Sequence, residues 1–269
     1  MNNNIRIVTL STKFYICSML KRILLSSLLV AASIQFYGQG SISDTTKTIP
    51  YISISYQFYV PGGDLADRFG VGNIIEGEFI VKLRSNFEIG AGGAYIFGDQ
   101  VKQTDMLHNM ITSDGNILDD NIKNSEVFFF HRGWKTGISV AKIFPILSPN
   151  PNSGIKLDFG IGYNQHWIRI EHQENTIPQL SDEYKPYYDR KAGGLYLEQF
   201  IGYILFSNRG LANFTGGFEF RQGFNKELRS YNIDDMGYVE GSRMDLYFGV
   251  KVSWNILLYK RSATGYYYD

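Results

Sequence analysis

Apolar and polar residues alternate with a period of two in eight stretches of this chain. The last stretch is the clearest, because every even position from Met244 to Ile256 is apolar. A strand turns successive side chains to opposite faces, so this period predicts β-strands with one apolar face. The sixth stretch, Leu195 to Phe206, is apolar on both faces, so its pattern leaves its facing open. The apolar positions begin at Ile52, Ile75, Phe87, Trp134, Ile155, Leu195, Phe214 and Met244.

The links between these stretches alternate between short and long. Short links cover 84–86, 145–153 and 207–210. Long polar links cover 61–72, 98–126, 171–192 and 225–241. Short turns at one end and long loops at the other are typical of an outer-membrane barrel. The pattern therefore predicts an all-β fold, a transmembrane antiparallel up-and-down β-barrel of about eight strands over residues 51–258.

The polar face carries charges deep inside the predicted strands. Six are basic and six are acidic: Lys82, Lys135, Lys156, Arg221, Arg243, Lys251, Glu76, Glu78, Glu88, Asp158, Glu219 and Asp245. In a membrane barrel the apolar face meets lipid and the charges fill the lumen; in a soluble barrel the charges would face water. Eight strands leave room only for side chains inside. Balanced charges there predict ion pairs and a filled lumen rather than a channel.

The N-terminal segment has the pattern of an export signal. Lys21 and Arg22 precede a ten-residue run, residues 23–32, that is too short to cross a bilayer as a helix. We expect a signal peptide over residues 1–38, cleaved after Gly38, with Met19 as an alternative start. The remaining chain is then a short periplasmic segment (39–50), the barrel and a periplasmic tail (259–269). This predicts export through the Sec pathway and an outer-membrane location.

Charge and cysteine content exclude several classes of function. Residues 1–38 hold four basic residues and no acidic one, so the remainder has a formal charge of −4. That balance argues against a nucleic-acid-binding protein. The single cysteine, Cys17, lies within residues 1–38. The mature chain therefore has no disulfide framework and no thiol metal site, and the sequence predicts no cofactor.

Several segments resemble outer-membrane barrel proteins of the Bacteroidota. They are PGGDLADRFG (61–70), SPNPNSG (148–154), YNIDDMG (231–237) and the tail from Tyr259 to Tyr268. The resemblance implies an accessory barrel of a cell-envelope machine, such as one for barrel assembly, secretion or gliding. It brings no catalytic residues with it, since these segments are not chemical motifs.

The four histidines are the residues to examine for catalysis. Some small outer-membrane barrels are lipid-modifying enzymes or proteases with a histidine near the rim, and His131 and His166 lie near the outer ends of predicted strands. No local spacing of serine, histidine and carboxylate indicates a catalytic triad. A rim enzyme is therefore an alternative, and we expect no enzymatic activity.

Apolar residues in the long links are the best candidates for partner binding. The link 98–126 contains Met106, Leu107 and Met110, and the link 171–192 contains Tyr187. An exposed apolar cluster often marks a binding site, but such a loop can also pack on itself or cap the barrel mouth. We predict these four residues as contacts with other envelope proteins. The sequence thus favours a structural or accessory subunit in outer-membrane lipid, with a small-solute channel as an alternative.

Overall fold

Eight long strands follow the alternating stretches of the sequence. The computed structural model describes residues 45–112, 114, 116–172, 177–181, 183–207, 213–229, 231–233, 236–238 and 241–258. The predicted signal peptide (1–38) and tail (259–269) lie outside the described residues. The strands are β1 (Ile49–Gly63), β2 (Gly72–Lys82), β3 (Phe87–Gly98), β4 (Val127–Phe144), β5 (Gly154–His172), β6 (Ala192–Leu205), β7 (Phe214–Glu227) and β8 (Ser242–Leu257).

The eight strands close into one antiparallel barrel. Each strand pairs with its neighbours in sequence, and β8 closes the sheet by pairing with β1, for example Asn255 opposite Ser53. Closure satisfies the backbone groups that an open sheet would leave unpaired at its edges. The predicted fold class, an antiparallel up-and-down transmembrane β-barrel of eight strands, is confirmed.

The links divide the barrel into two ends. We call the end with residues 83–86, 145–153 and 206–213 the turn end, and the end with residues 64–71, 99–126, 173–191 and 228–241 the loop end. The loop end contains a short helix, Asp64–Arg68, and 3₁₀ turns at Asp105–Met110, Pro178–Leu180 and Lys185–Tyr187. Two small hairpins also lie there, Ile117–Leu118 with Asn124–Ser125 and Tyr231–Asn232 with Gly237–Tyr238. Among the described residues, no helix has the length and apolarity needed to cross a membrane.

The barrel has its apolar face outside and its polar face inside. On β1, Ile54, Tyr56 and Phe58 are exposed on the outer wall, while Ser55 and Gln57 are buried in the lumen. On β8, Phe248, Val250, Val252 and Trp254 are exposed, and Lys251 and Ser253 are buried. This is the arrangement expected of a barrel whose outer wall meets lipid.

The structure settles the facing of β6. Leu195, Leu197 and Ile201 are exposed outside, whereas Tyr196 and Phe200 are buried in the lumen. The strand is apolar on both faces because the lumen holds aromatic rings as well as charges. Glycines on the neighbouring strand leave the space, since a Cβ at Gly217 would lie 2.8 Å from the Phe200 ring. The sequence could not show this, because inward aromatic residues look like lipid-facing ones.

Candidate functional site

The middle of the lumen contains an ion-pair network that joins five strands. Lys135 of β4 places its Nζ 2.5 Å from Glu198 and 2.8 Å from Glu76. Lys251 of β8 places its Nζ 2.5 Å from Glu76 and 3.1 Å from Glu219. The carboxylates come from inward positions of β2, β6 and β7. The predicted ion pairs in the lumen are present.

The three carboxylates of this network lie close enough to suggest a metal site. One oxygen from each of Glu76, Glu198 and Glu219 lies within 4.8 Å of the others. However, the ammonium groups of Lys135 and Lys251 stand among these oxygens and supply the counter-charge. A buried carboxylate requires a positive partner, and here the chain itself provides it. The geometry therefore fits a salt-bridge network rather than a set of metal ligands.

A second group of ion pairs lies nearer the turn end. Lys156 of β5 is 2.9 Å from Glu88 and 3.1 Å from Asp158. The hydroxyl of Tyr51 donates a 2.8 Å hydrogen bond to the other oxygen of Glu88. A cavity of about 20 Å³ separates this group from the middle network. A cavity of that size holds about one water molecule, so it offers no path for a solute.

Two histidines lie on the loop-end side of the network. His131 Nδ1 is 2.7 Å from the hydroxyl of Tyr59, and His166 Nε2 is 2.9 Å from Asp245 Oδ2. The two rings are 5.6 Å apart. A histidine held by a carboxylate is two thirds of a hydrolytic triad, but in the described part of the chain neither ring is hydrogen-bonded to a serine. Both histidines lie towards the loop ends of their strands, as predicted, but they are fully buried in the lumen, so the described residues do not form the exposed rim site of the enzyme alternative.

An apolar cap seals the lumen above these histidines. Phe69 stacks on the ring of His131 with the ring centres 3.7 Å apart. Strand and loop residues together complete the cap, which we define by its buried members: Tyr59, Leu65, Phe69, Ile74, Ile96, Met106, Leu107, Ile168, Ile170, Ile177, Leu180, Tyr188 and Tyr247. In the described residues the cap lies between the two histidines and the loop end of the barrel.

The turn end is closed by a link that folds inwards. Asn152 is fully buried, and its Oδ1 accepts a 2.9 Å hydrogen bond from Lys82 Nζ and a 3.0 Å bond from the backbone N–H of Lys47. Its Nδ2 donates to the carbonyl of Thr45 at 2.9 Å. The link 145–153 thus fastens residues 45–47 across the opening. Within the described residues, the lumen is closed at both ends.

The four predicted partner contacts differ in how far the structure buries them. Met106 and Leu107 are each only 1% exposed and belong to the cap, and Met110 is partly buried against it. Met106 and Leu107 are therefore corrected as surface anchors, because closing the barrel mouth buries them. This is the capping alternative that the sequence left open. Tyr187 is 44% exposed and remains available to a partner.

Other apolar side chains at the loop end are more exposed than those predicted. Ile122, Met236 and Tyr238 are 80%, 78% and 84% exposed. Ile122 and Met236 also have positive φ angles of 59° and 45°, at or near the turns of the two small hairpins. The only sequence signal for the first turn is the polar run 119–121 before Ile122. The apolar loop residues that the sequence analysis selected, such as Met106 and Leu107, belong to the cap and not to this exposed set.

Comparison with known proteins gives structural neighbours but no family. No protein-family model and no curated protein sequence matches this chain. One neighbour is Ail, the attachment invasion locus protein of Yersinia pestis, in a crystal structure with the heparin analogue sucrose octasulfate. Ail is 7% identical to this chain, and the alignment covers 78% of this chain and 99% of Ail at a TM-score of 0.42. Neisserial surface protein A is 10% identical, covering 76% of this chain and 95% of that protein at a TM-score of 0.38. Similarity at this level says nothing about activity, and the resemblance to Bacteroidota barrels stays an expectation.

Proposed function

We propose that this chain is a non-enzymatic integral barrel of the outer membrane that serves as an accessory subunit of a cell-envelope complex. The observation that carries the proposal is the contrast between the sealed lumen and the exposed apolar loop tips. A sealed lumen cannot transport or process a solute. Exposed apolar side chains in water favour contact with another protein.

Insertion into a membrane follows from the outer wall. Phenylalanine, isoleucine, leucine and valine face outwards along all eight strands, and buried charges face the lumen. In water this wall would be an apolar patch far larger than soluble monomers tolerate. The wall therefore supports a lipid environment, and the export signal expected over residues 1–38 supports the outer membrane.

The loop tips supply the proposed partner contact. Ile122 is the strongest candidate, because a β-branched residue with a positive φ is rare and strained. Strain and apolar exposure at one position both cost free energy, and such features concentrate at functional sites. Met236, Tyr238 and Tyr187 are further exposed anchors at the loop end. Methionine and aromatic residues are enriched at protein interfaces.

Ile122→Asn is the variant that tests this contact. Asparagine tolerates the left-handed backbone better than isoleucine, so the barrel should fold at least as well. Crosslinked pull-down from native membranes should recover stoichiometric partners with the wild type and several-fold less with the variant. Point variants are preferable to removal of residues 98–126, because that removal would also take Met106 and Leu107 out of the cap.

Leu147→Asn is the matched control. Leu147 is 91% exposed with a φ of 52°, but it lies in a link at the turn end. We expect this variant to retain its partners. If Ile122→Asn, alone and combined with Tyr187→Ala and Met236→Asn, retains every partner, the loop-tip proposal is wrong.

Planar-bilayer recording tests the sealed lumen separately. We expect no discrete conductance steps from the folded wild type. Regular steps of tens of picosiemens or more would show that the lumen opens and would favour the channel alternative.

A further inference from the structure

Two glutamines on the outer wall lie among apolar residues. Gln199 of β6 shares its outward face with Leu197 and Ile201, and Gln222 of β7 pairs with Leu197. Phe224, exposed two residues beyond Gln222, continues the apolar wall towards the loop end. Both amides therefore lie within the apolar band, on adjacent strands and in diagonal positions.

These amides differ from other outward polar groups of the wall. Thr136 of β4 donates a 3.0 Å hydrogen bond to a carbonyl of β3, and Gln165 of β5 donates a 3.3 Å bond to the phenol of Tyr163. The side-chain amide of neither Gln199 nor Gln222 has a hydrogen-bond partner among the residues that the structure describes. In hydrocarbon an amide without a hydrogen-bond partner is strongly unfavourable, because nothing replaces the hydrogen bonds that it makes in water. Lipid tails offer no partner, so this position calls for another protein.

The surface around Gln199 has the shape of a protein interface, with a groove beside exposed aromatic rings. A groove of about 390 Å³ crosses strands β5 to β8, and Gln199, apolar residues and the strand positions of Asp158 and Glu219 line it. Phe159 and Phe218 border it and are among the most exposed side chains of the wall, at 63% and 68%. Gly216, which also faces outwards, would let a second backbone approach closely.

We propose that this face, centred on Gln199 and Gln222, is the contact between two copies of this chain related by a twofold axis within the membrane. An amide is both donor and acceptor, so the same patch on a second copy satisfies both glutamines. A twofold contact requires a surface that complements itself, and this one carries a groove beside protruding rings. Burial of apolar area gains little in lipid, so the amide hydrogen bonds supply the preference. The proposal rests on the membrane insertion proposed above.

Cysteine crosslinking locates the contact. Leu197→Cys lies between the two glutamines, and Ile89→Cys on β3 is an equally outward control on the far side of the barrel. The one native cysteine, Cys17, lies in the segment expected to be removed. With copper phenanthroline as oxidant in native membranes, Leu197→Cys should give a disulfide-linked homodimer and Ile89→Cys should remain monomeric.

Removal of the amides measures their contribution. Förster transfer between labelled copies, followed against protein-to-lipid ratio in phospholipid vesicles, gives the dissociation constant. The double variant Gln199→Leu/Gln222→Leu should raise that constant about tenfold, and Gln165→Leu, whose amide has its own partner, should not.

Failure of this proposal and of membrane insertion are distinguishable. Heat-modifiable migration and protection from urea report an inserted barrel irrespective of its oligomeric state. An inserted barrel that stays monomeric at every ratio, or whose Leu197→Cys variant crosslinks only to a different protein, would overturn the dimer. A chain that does not insert into vesicles contradicts the proposed function itself.

Discussion

The middle of the lumen and its loop-end cap are equally buried but are built from different residues. The middle consists of strand residues alone, with Lys135 and Lys251 among three glutamates. The cap combines inward strand residues such as Ile96 with loop residues such as Leu65 and Met106. Strand geometry therefore fixes the network, whereas the cap depends on loops that fold onto the barrel.

The two regions should also respond differently to substitution. A buried ion pair gives little net stability, but loss of one partner leaves an uncompensated charge. Apolar contacts contribute in proportion to the area that each side chain buries, so their loss is graded. We therefore expect the network to fail as a unit and the cap to fail locally.

Lys135→Ala should give the largest effect. It leaves Glu76 and Glu198 without their 2.8 Å and 2.5 Å contacts in a buried site. We expect the free energy of unfolding to fall by about 4 kcal/mol. Urea titration of the folded barrel in lipid vesicles measures this change.

The triple variant Lys135→Met/Glu76→Gln/Glu198→Gln is the control, because it removes the charges together. It should be more stable than Lys135→Ala, since fewer unpaired charges remain in the lumen. A loss below about 1 kcal/mol for Lys135→Ala would show that water reaches the network and that the lumen is not sealed.

Leu65→Ala should have the next largest effect, confined to the cap. Leu65 is fully buried in the helix Asp64–Arg68. Truncation of a buried leucine costs about 3 kcal/mol, and here the cost should fall on local opening of the loops. Hydrogen exchange in residues 99–126 should accelerate while heat-modifiable migration stays unchanged. Equal losses in loop protection and in barrel stability would contradict a separately folding cap.

The strands were predictable because apolar and polar residues alternate with a period of two, which is also the period at which side chains alternate between the two faces of a strand. Each inward charge predicted from alternation, such as Lys135 or Asp245, faces the lumen. The alternation assigns no face to Glu198, because aromatic and aliphatic residues on both faces of β6 obscure its period. Glycines on other strands make room for those rings, Gly162 of β5 for Tyr196 and Gly217 of β7 for Phe200, and pairing across strands is not visible in local sequence.

The loops were less predictable because two opposite structures share one composition. Met106 and Leu107 have the apolar character of exposed anchors, yet they fill the cap. Ile122 has no apolar neighbour within four residues other than Leu118, yet it is a prominent exposed side chain. The space left at the barrel mouth decides which apolar loop residue turns inwards. That space is set by the packing of all the strands and loops and is not evident from the sequence.

Arg229→Gln should have the smallest effect and tests how the loops are held outside the cap. Arg229 donates hydrogen bonds of 3.0 and 2.7 Å to the two oxygens of Asp189, and these bonds raise the pKa of its guanidinium. The pair joins residues 183–191 to the segment after β7, but Arg229 is partly exposed and screened by salt. We expect a loss of about 1 kcal/mol or less in loop protection, and a smaller loss at high salt.

Arg229→Lys keeps the charge but not the planar fork, so its loop protection should lie between that of the wild type and that of Arg229→Gln. Hydrogen exchange of residues 183–191 at low and high salt measures both variants. If Arg229→Gln opens these loops as far as Leu65→Ala does, the ion pair rather than the apolar cap closes the barrel mouth.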